Sequence, residues 1–193
     1  MSKRKLSLWE WNWLAKHGMG EINIGEYGEM PVEYVTGYAG ILGREFNMDK
    51  RVLIPRVEEE DLIKLAMDIY PKKKKLVIAD VGTGSGCIGI MLCLELKKLG
   101  IEVEIYLSDI SEEVLLVAKE NTEKLINDSE KSLIHLIKSD LMKNYPKDLK
   151  FDLMVANLPY VPSARIKKLP ESVRDYEPQV ALDGGKDGLV LIK

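Results

Sequence analysis

Along the chain, the first periodic apolar stretch is Leu6-Ser7-Leu8-Trp9-Glu10-Trp11-Asn12-Trp13-Leu14, in which Leu6, Trp9 and Trp13 recur at helical intervals before the stop signals Gly18 and Gly20. The spacing predicts a short amphipathic helix whose tryptophans pack against the rest of the chain, although so dense a cluster also suits a partner surface. Beyond Pro31, Gly37, Gly40 and Gly43 punctuate short runs, and residues 45–48 with 52–54 predict a hairpin. A helix is expected to start near Glu58. The cluster Glu58, Glu59, Glu60 and Asp61 then complements the helix dipole in the first turn, Leu62, Leu65, Ala66 and Ile69 follow at helical spacing, and Pro71 ends it. Residues 72–75 read as a solvated, lysine-rich connector.

From residue 76 the pattern alternates. Residues 76–79 predict a strand, 87–99 an apolar helix stopped by Gly100, and 103–107 a second strand. Ser111 is placed to cap a further helix, with Glu112 and Glu113 in its first turn and Leu115, Leu116 and Ala118 on its core face. Residues 132–137 and 151–156 supply two more strands. Strands separated by helix-length segments predict an α/β, Rossmann-like fold: a parallel sheet with helices on both faces and right-handed crossovers. The chain divides accordingly into a short helical segment (1–30), a β-hairpin linker (31–57) and a main domain (58–193).

Composition narrows the function classes. With 46% hydrophobic and 31% charged residues the chain is of ordinary globular type. A net charge of −3 argues against general electrostatic coating of nucleic acid. No stretch approaches the roughly 18 apolar residues of a membrane-spanning helix, and the basic N-terminus lacks an apolar segment behind it, so a cytoplasmic setting is expected. Cys87 and Cys93, in one apolar run, predict buried, reduced thiols, and His17 and His135 lack neighbours at ligand spacing, so no metal site is expected.

In such sheets ligands bind beyond the carboxyl ends of the strands, where strand order reverses. Asp80-Val81-Gly82-Thr83-Gly84-Ser85-Gly86 follows the first main-domain strand, and its glycines permit tight turning and close approach to a nucleotide cofactor. The overlapping Gly84-Ser85-Gly86-Cys87-Ile88-Gly89 also fits the dinucleotide fingerprint, so this loop alone decides nothing. Asp80 tilts the reading, because a carboxylate repels a pyrophosphate and attracts the cationic amino and sulfonium groups of S-adenosylmethionine. Asp109, ending the next strand, can accept from two ribose hydroxyls, and Asp140 is placed to accept from an adenine amino group.

After the last strand comes Asn157-Leu158-Pro159-Tyr160, a polar residue followed by a proline-stiffened turn with an aromatic. An amide nitrogen is a poor nucleophile, since its lone pair is delocalised into the carbonyl, and a catalyst must align it and draw density toward it. The Asn157 side-chain oxygen and the Leu158 carbonyl can each accept one amide proton, leaving the lone pair aimed at a methyl donor. Tyr160 is expected to stack on the planar group. Asn and Pro are also common in turns for backbone reasons, so the loop gains meaning from its pairing with the glycine loop.

These residues resemble the HemK/PrmC family of protein-(glutamine-N5) methyltransferases, which modify the Gly-Gly-Gln glutamine of class 1 peptide-chain release factors. Pro31-Val32-Glu33-Tyr34-Val35-Thr36-Gly37 is similar to that family's opening segment. Gly43-Arg44-Glu45-Phe46 and Val52-Leu53-Ile54-Pro55-Arg56-Val57-Glu58-Glu59-Glu60 resemble its hairpin and its Ile-Pro-Arg-Pro-Glu-Thr-Glu signature. Val173 to Pro178 and Ala181 to Leu189 resemble the pattern that follows its acceptor loop. The resemblance implies a class I S-adenosylmethionine-dependent methyltransferase fold. It implies cofactor contacts from Gly82, Thr83, Gly84, Ser85, Gly86, Asp109, Asp140 and Leu141, and substrate contacts from Asn157, Leu158, Pro159 and Tyr160, with no metal. This sequence departs from the family at Leu158 and Val57, where the family carries prolines, and at Glu59, where it carries a threonine. The N-terminal helical portion is short, and the resemblance implies three further strands and a helix that Lys193 interrupts. The expected sheet is therefore incomplete, with the strand at 151–156 on its edge.

Three alternative functions remain. Exocyclic nucleic-acid amines offer the same planar nitrogen, with Arg165, Lys167 and Lys168 near the loop to meet phosphates. A truncated, non-catalytic methyltransferase-like module would use the tryptophan cluster as a partner surface. A nicotinamide oxidoreductase rests only on the overlapping glycines.

Overall fold

The computed structural model describes residues 4–70 and 72–192. Ser7 caps helix α1 (Leu8–Lys16) through a capping box in which its hydroxyl accepts the Glu10 N–H and the Glu10 carboxylate accepts the Ser7 N–H. The buried residue of this helix is Leu14. Trp13 also reaches the body, donating from Nε1 to Thr36 Oγ1 at 3.1 Å, whereas Trp9 and Trp11 remain 53% and 45% exposed. Packing of the tryptophans thus holds for Trp13 alone, because a single-sided helix presents one stripe to its support.

Helix α2 (Val32–Thr36) ends at Gly37 and leads into a hairpin of β1 (Tyr38–Ile41) and β2 (Arg44–Asn47). The hairpin lies one strand earlier than expected. Leu42 and Gly43 both take positive φ, 45° and 77°, as a tight two-residue turn requires, and residues 52–54 run on as unpaired chain into the next helix. Helix α3 (Val57–Ile69) buries Glu59, Ile63 and Ala66, while Leu65 and Ile69, expected on the core face, point outward. Pro71, the expected helix stop, lies outside the described residues.

The main sheet joins β3 (Lys75–Val81), β4 (Glu102–Asp109), β5 (Ile134–Lys138) and β6 (Leu153–Ala156), all parallel, in the order β5-β4-β3-β6. The reversal of strand order falls between β3 and β6, and β6 forms an edge. Helix α4 (Cys87–Lys98) is buried along most of its length, as its apolar run predicts. Helix α5 (Glu112–Leu125) starts at Ser111, whose hydroxyl accepts the Val114 N–H, as expected; Leu116, expected in the core, is exposed and Val117 takes its place. Two short helices, α6 (Ser163–Ile166) and α7 (Glu171–Arg174), follow β6. The helix expected near the end is instead a turn over residues 190–192, in which Val190 donates to the Gly184 carbonyl and Ile192 to that of Leu189. Among the described residues no helix is long and apolar enough to cross a membrane.

Three buried polar side chains fix the elements around the carboxyl end of the sheet. Asn121 of α5, with no solvent exposure, accepts from Asn47 N–H at 2.6 Å and donates to the carbonyls of Asn47 and Ser85, clipping hairpin and glycine loop to one helix. Glu177 is tied to Arg56 at 2.6 Å, which joins the segment after α7 to the start of α3. Asp80, fully buried at the end of β3, accepts the Thr83 hydroxyl at 2.7 Å and the Gly89 N–H at 3.0 Å. Burial pushes the Asp80 carboxyl up to about 7, against the pull of those two bonds and with the help of the nearby Glu59 and Asp109 charges.

Asn121→Ala removes three hydrogen bonds and strands their buried partners, so a loss of about 2–4 kcal/mol is expected in urea unfolding. Asp80 yields a pH dependence. The folded chain holds its proton more tightly than an unfolded chain, whose carboxyl titrates at its ordinary value of 3.8. The resulting stabilisation is whole below about pH 4 and is lost as pH rises through about 7. Melting temperature is expected to fall from about pH 5 to about pH 8. Asp80→Asn, whose oxygen can accept both bonds, is expected to flatten that fall; an undiminished fall in this variant would assign the effect to other groups.

Candidate active site

The glycine loop after β3 and the loop after β6 leave the sheet at its reversal point and enclose a cavity of about 570 Å³. Ten residues singled out from the sequence line it: Gly82, Thr83, Gly84, Ser85, Asp109, Asp140, Leu141, Asn157, Leu158 and Pro159. Asp80, Gly86 and Tyr160 do not. Asp80 is turned into the body beneath the loop, so its expected direct contact with a cationic ligand group is replaced by the bonds to Thr83 and Gly89. Gly86 takes φ 83° as the N-cap of α4, a position for which glycine is suited by its missing Cβ. Tyr160 is 58% exposed, and its backbone is covered by a later segment: a Cβ on Gly188 would stand 2.3 Å from the Tyr160 carbonyl oxygen.

The glycine loop is shaped to receive a ligand. Gly84 has φ 57°, and a Cβ there would meet nothing within 4 Å, so its backbone faces open space on the cavity side. The Asp109 carboxylate accepts the Ser111 N–H at 3.1 Å and the Gly84 N–H at 3.3 Å, one on each oxygen, which leaves lone pairs on both for further donors. Burial pushes its carboxyl up, against those backbone bonds. Asp140 also borders the cavity, with one oxygen engaged by Lys143. Leu141 holds a left-handed φ of 50° that sets its side chain against the core beside Val81.

In the loop after β6, the Asn157 side chain donates from Nδ2 to Glu59 Oε1 at 2.8 Å. The other Glu59 oxygen accepts the Cys87 thiol at 3.2 Å. Glu59 is 7% exposed and lines the cavity, and burial pushes its carboxyl up against the pull of the Asn157 and Cys87 bonds. Burial likewise raises the Cys87 thiol well above its ordinary value, so it stays a donor. Sequence reasoning placed Glu59 with its neighbours in the first turn as a complement to the helix dipole, and read Cys87 as a buried, reduced thiol with no role in the site. The available signal was helical spacing: Glu59, Ile63 and Ala66 share a face, and that face is the buried one.

Charge completes the picture. Glu59, Asp109 and Asp140 line the cavity, and Arg51, the cation on its wall, is held by Asp49 at 2.6–2.9 Å. The wall favours a cationic ligand over a pyrophosphate.

A family model described as the methyltransferase small domain matches residues 63–170. Two curated relatives named release factor glutamine methyltransferase come from Koribacter versatilis, 35% identical over 86% of this chain and 56% of the relative, and from Bacillus cereus, 40% identical over 83% and 55%. The chain thus spans just over half the length of these relatives. Among solved structures, the hMettl16 catalytic domain in complex with a 3′UTR hairpin is 16% identical, with a TM-score of 0.51 over 83% of this chain and 67% of that one, a likeness of fold alone. The matched segment runs from within α3 across all four strands of the sheet and through α6, ending just before α7, so it contains both loops of the cavity. The chain belongs to the methyltransferase small domain family.

Proposed function

We propose that this chain binds S-adenosylmethionine in the cavity and transfers its methyl group to the side-chain amide nitrogen of the glutamine in the Gly-Gly-Gln motif of class 1 release factors. The observation that carries this reading is the convergence of Gly82 to Ser85 and Asn157 to Pro159 on one acid-lined cavity at the strand-order reversal. The relatives named release factor glutamine methyltransferase support the acceptor. The partner is then a release factor, and the compartment the cytoplasm, where such factors act.

The chain's own residues fit the cofactor. The open space over Gly84, with the lone pairs of Asp109 beside it, accommodates a ribose, and the acidic wall suits a cation. When bound, the sulfonium supplies an already activated methyl group. With Nδ2 committed to Glu59, Asn157 Oδ1 is the atom left to accept one proton of the substrate amide, and the Leu158 carbonyl can take the other. Both acceptors hold the amide protons by hydrogen bonds, draw density toward the nitrogen and fix its plane, which aligns the lone pair with the methyl group. As the N–C bond forms the methyl–sulfur bond breaks, and the nitrogen releases one of its two protons to solvent.

Asn157→Ala is expected to lower kcat by about 10²–10³-fold while leaving S-adenosylmethionine affinity, measured by calorimetry, within about threefold. The acceptor is checked with two release factors, carrying Gln or Ala in the Gly-Gly-Gln motif, beside an RNA control. Labelling of the Gln form alone is expected; equal labelling of both factors, or preferential labelling of RNA, overturns the reading.

A further inference from the structure

Four acids crowd the first turn of α3, and they differ in setting. Glu58 and Asp61 are exposed, and Glu60 accepts the Leu42 N–H at 3.2 Å beside the hairpin turn. Glu59 alone is buried. A carboxylate removed from water is stabilised by the donors that reach it, and its side-chain donors come from the loop after β6 and from the start of α4: Asn157 Nδ2 at 2.8 Å and the Cys87 thiol at 3.2 Å, beside the Arg56 backbone.

This arrangement settles an ambiguity built into asparagine. A side-chain amide presents a donor at one end and an acceptor at the other, and a half-turn about its last torsion exchanges them. Only one orientation suits the chemistry above, because an NH₂ group turned toward a substrate amide would confront its N–H protons with more donors. Both Glu59 oxygens act as acceptors here, one toward Cys87 and one toward Asn157, so the carboxylate selects the orientation in which Nδ2 faces Glu59 and Oδ1 faces away. A hydroxyl at the same position, such as the threonine of the family signature, both donates and accepts and imposes no such polarity. The bond to Cys87 adds a second constraint, since it fixes the carboxylate against the helix that begins directly after the glycine loop.

We propose that Glu59 is a positioning residue for methyl transfer, orienting the Asn157 amide so that its oxygen is presented to the acceptor nitrogen. The proposal rests on the reading of Asn157 given above. Glu59 acts through Asn157 and through its anchorage to α4, and no proton passes to or from it during transfer.

The test compares Glu59→Leu, Glu59→Gln and Glu59→Thr with Asn157→Ala in the full chain. Three quantities are read: S-adenosylmethionine affinity by calorimetry, kcat and KM for a release factor, and the ¹⁵N–¹H resonances of the Asn157 side-chain amide, identified as the pair that Asn157→Ala abolishes. Glu59→Leu, which keeps similar bulk without an acceptor, is expected to lower kcat by about 30–100-fold, with cofactor affinity and KM within about threefold and the Asn157 pair shifted. Glu59→Gln retains one acceptor oxygen but brings a donor as well, and is expected to give a kcat between those of Glu59→Leu and the parent. A merely structural role would lower the melting temperature without this split between kcat and binding. Unchanged kcat and unchanged Asn157 resonances in Glu59→Leu, beside a strong loss in Asn157→Ala, overturn the positioning role and leave the acceptor reading standing. Full activity in Asn157→Ala overturns both. If Glu59→Leu does not fold, Glu59→Thr decides: reduced kcat at retained cofactor affinity supports the proposal, and parental kcat overturns it.

Discussion

A carboxylate without access to water stands at the end of β3, and the cofactor loop is organised around the two hydrogen bonds it accepts. Thr83 and Gly89 donate to the same oxygen of Asp80, which ties the loop and the first turn of α4 to the strand that precedes both. The close approach requires glycine at 89, where a Cβ would stand 2.3 Å from a Leu107 methyl and 3.1 Å from the Asp80 oxygen. This accounts for the ambiguous fingerprint in the sequence. The last glycine of that pattern serves helix-to-strand packing, a need shared by any strand–loop–helix unit that brings its helix so near, and it carries no information about the ligand.

The alternation of strands and helices was readable because each element buries a continuous apolar run and each cap is local. Ser111 and the run from Cys87 fall where the sequence predicts, since their signals lie within a few residues of their effects. The failures share a different cause. Leu42-Gly43 was overlooked as the hairpin turn because leucine is an uncommon residue at positive φ, and only pairing of the flanking strands compels it there. Asp80, expected to face the ligand, is instead held from below by Thr83 and Gly89, only 3 and 9 residues on, because burial does not show in the local sequence. Glu59, expected among the first-turn acids, finds its partners Cys87 and Asn157 28 and 98 residues away along the chain. No window of sequence contains both ends of such a bond.

The acceptor loop illustrates how a fold supplies stiffness from more than one source. A proline at 158 would restrain the backbone through its fixed φ. Leucine imposes no such restraint, but its side chain packs with the cluster around Val81 and reaches so near the glycine loop that a Cβ on Gly82 would lie 2.9 Å from its methyl. On its other side the loop is clasped by the later segment. Val161 donates to the Leu182 carbonyl and accepts from Gly184, Ser163 donates to the Gly185 carbonyl, and a Cβ on Gly184 would press within 2.7–2.8 Å of the Pro159 carbonyl and the Tyr160 backbone. Packing and backbone hydrogen bonds thus hold a loop that one ring would otherwise stiffen.

The relation between the two loops follows from the register of the sheet. β3 and β6 are direct neighbours, and Val81 pairs with Ala156. The next residue of each strand therefore leaves the sheet beside the other: Gly82 opens the cofactor loop where Asn157 opens the acceptor loop, on strands about 4.8 Å apart. Gly82 takes a left-handed φ of 70° that favours glycine, and a Cβ there would press on the end of the Leu158 side chain at 2.9 Å. A slip of one residue between β3 and β6 would turn Asn157 to the opposite face of the sheet and separate it from Glu59, even with every local motif intact. The placement of the two loops is thus a property of strand pairing, and the proposed roles of their residues depend on it.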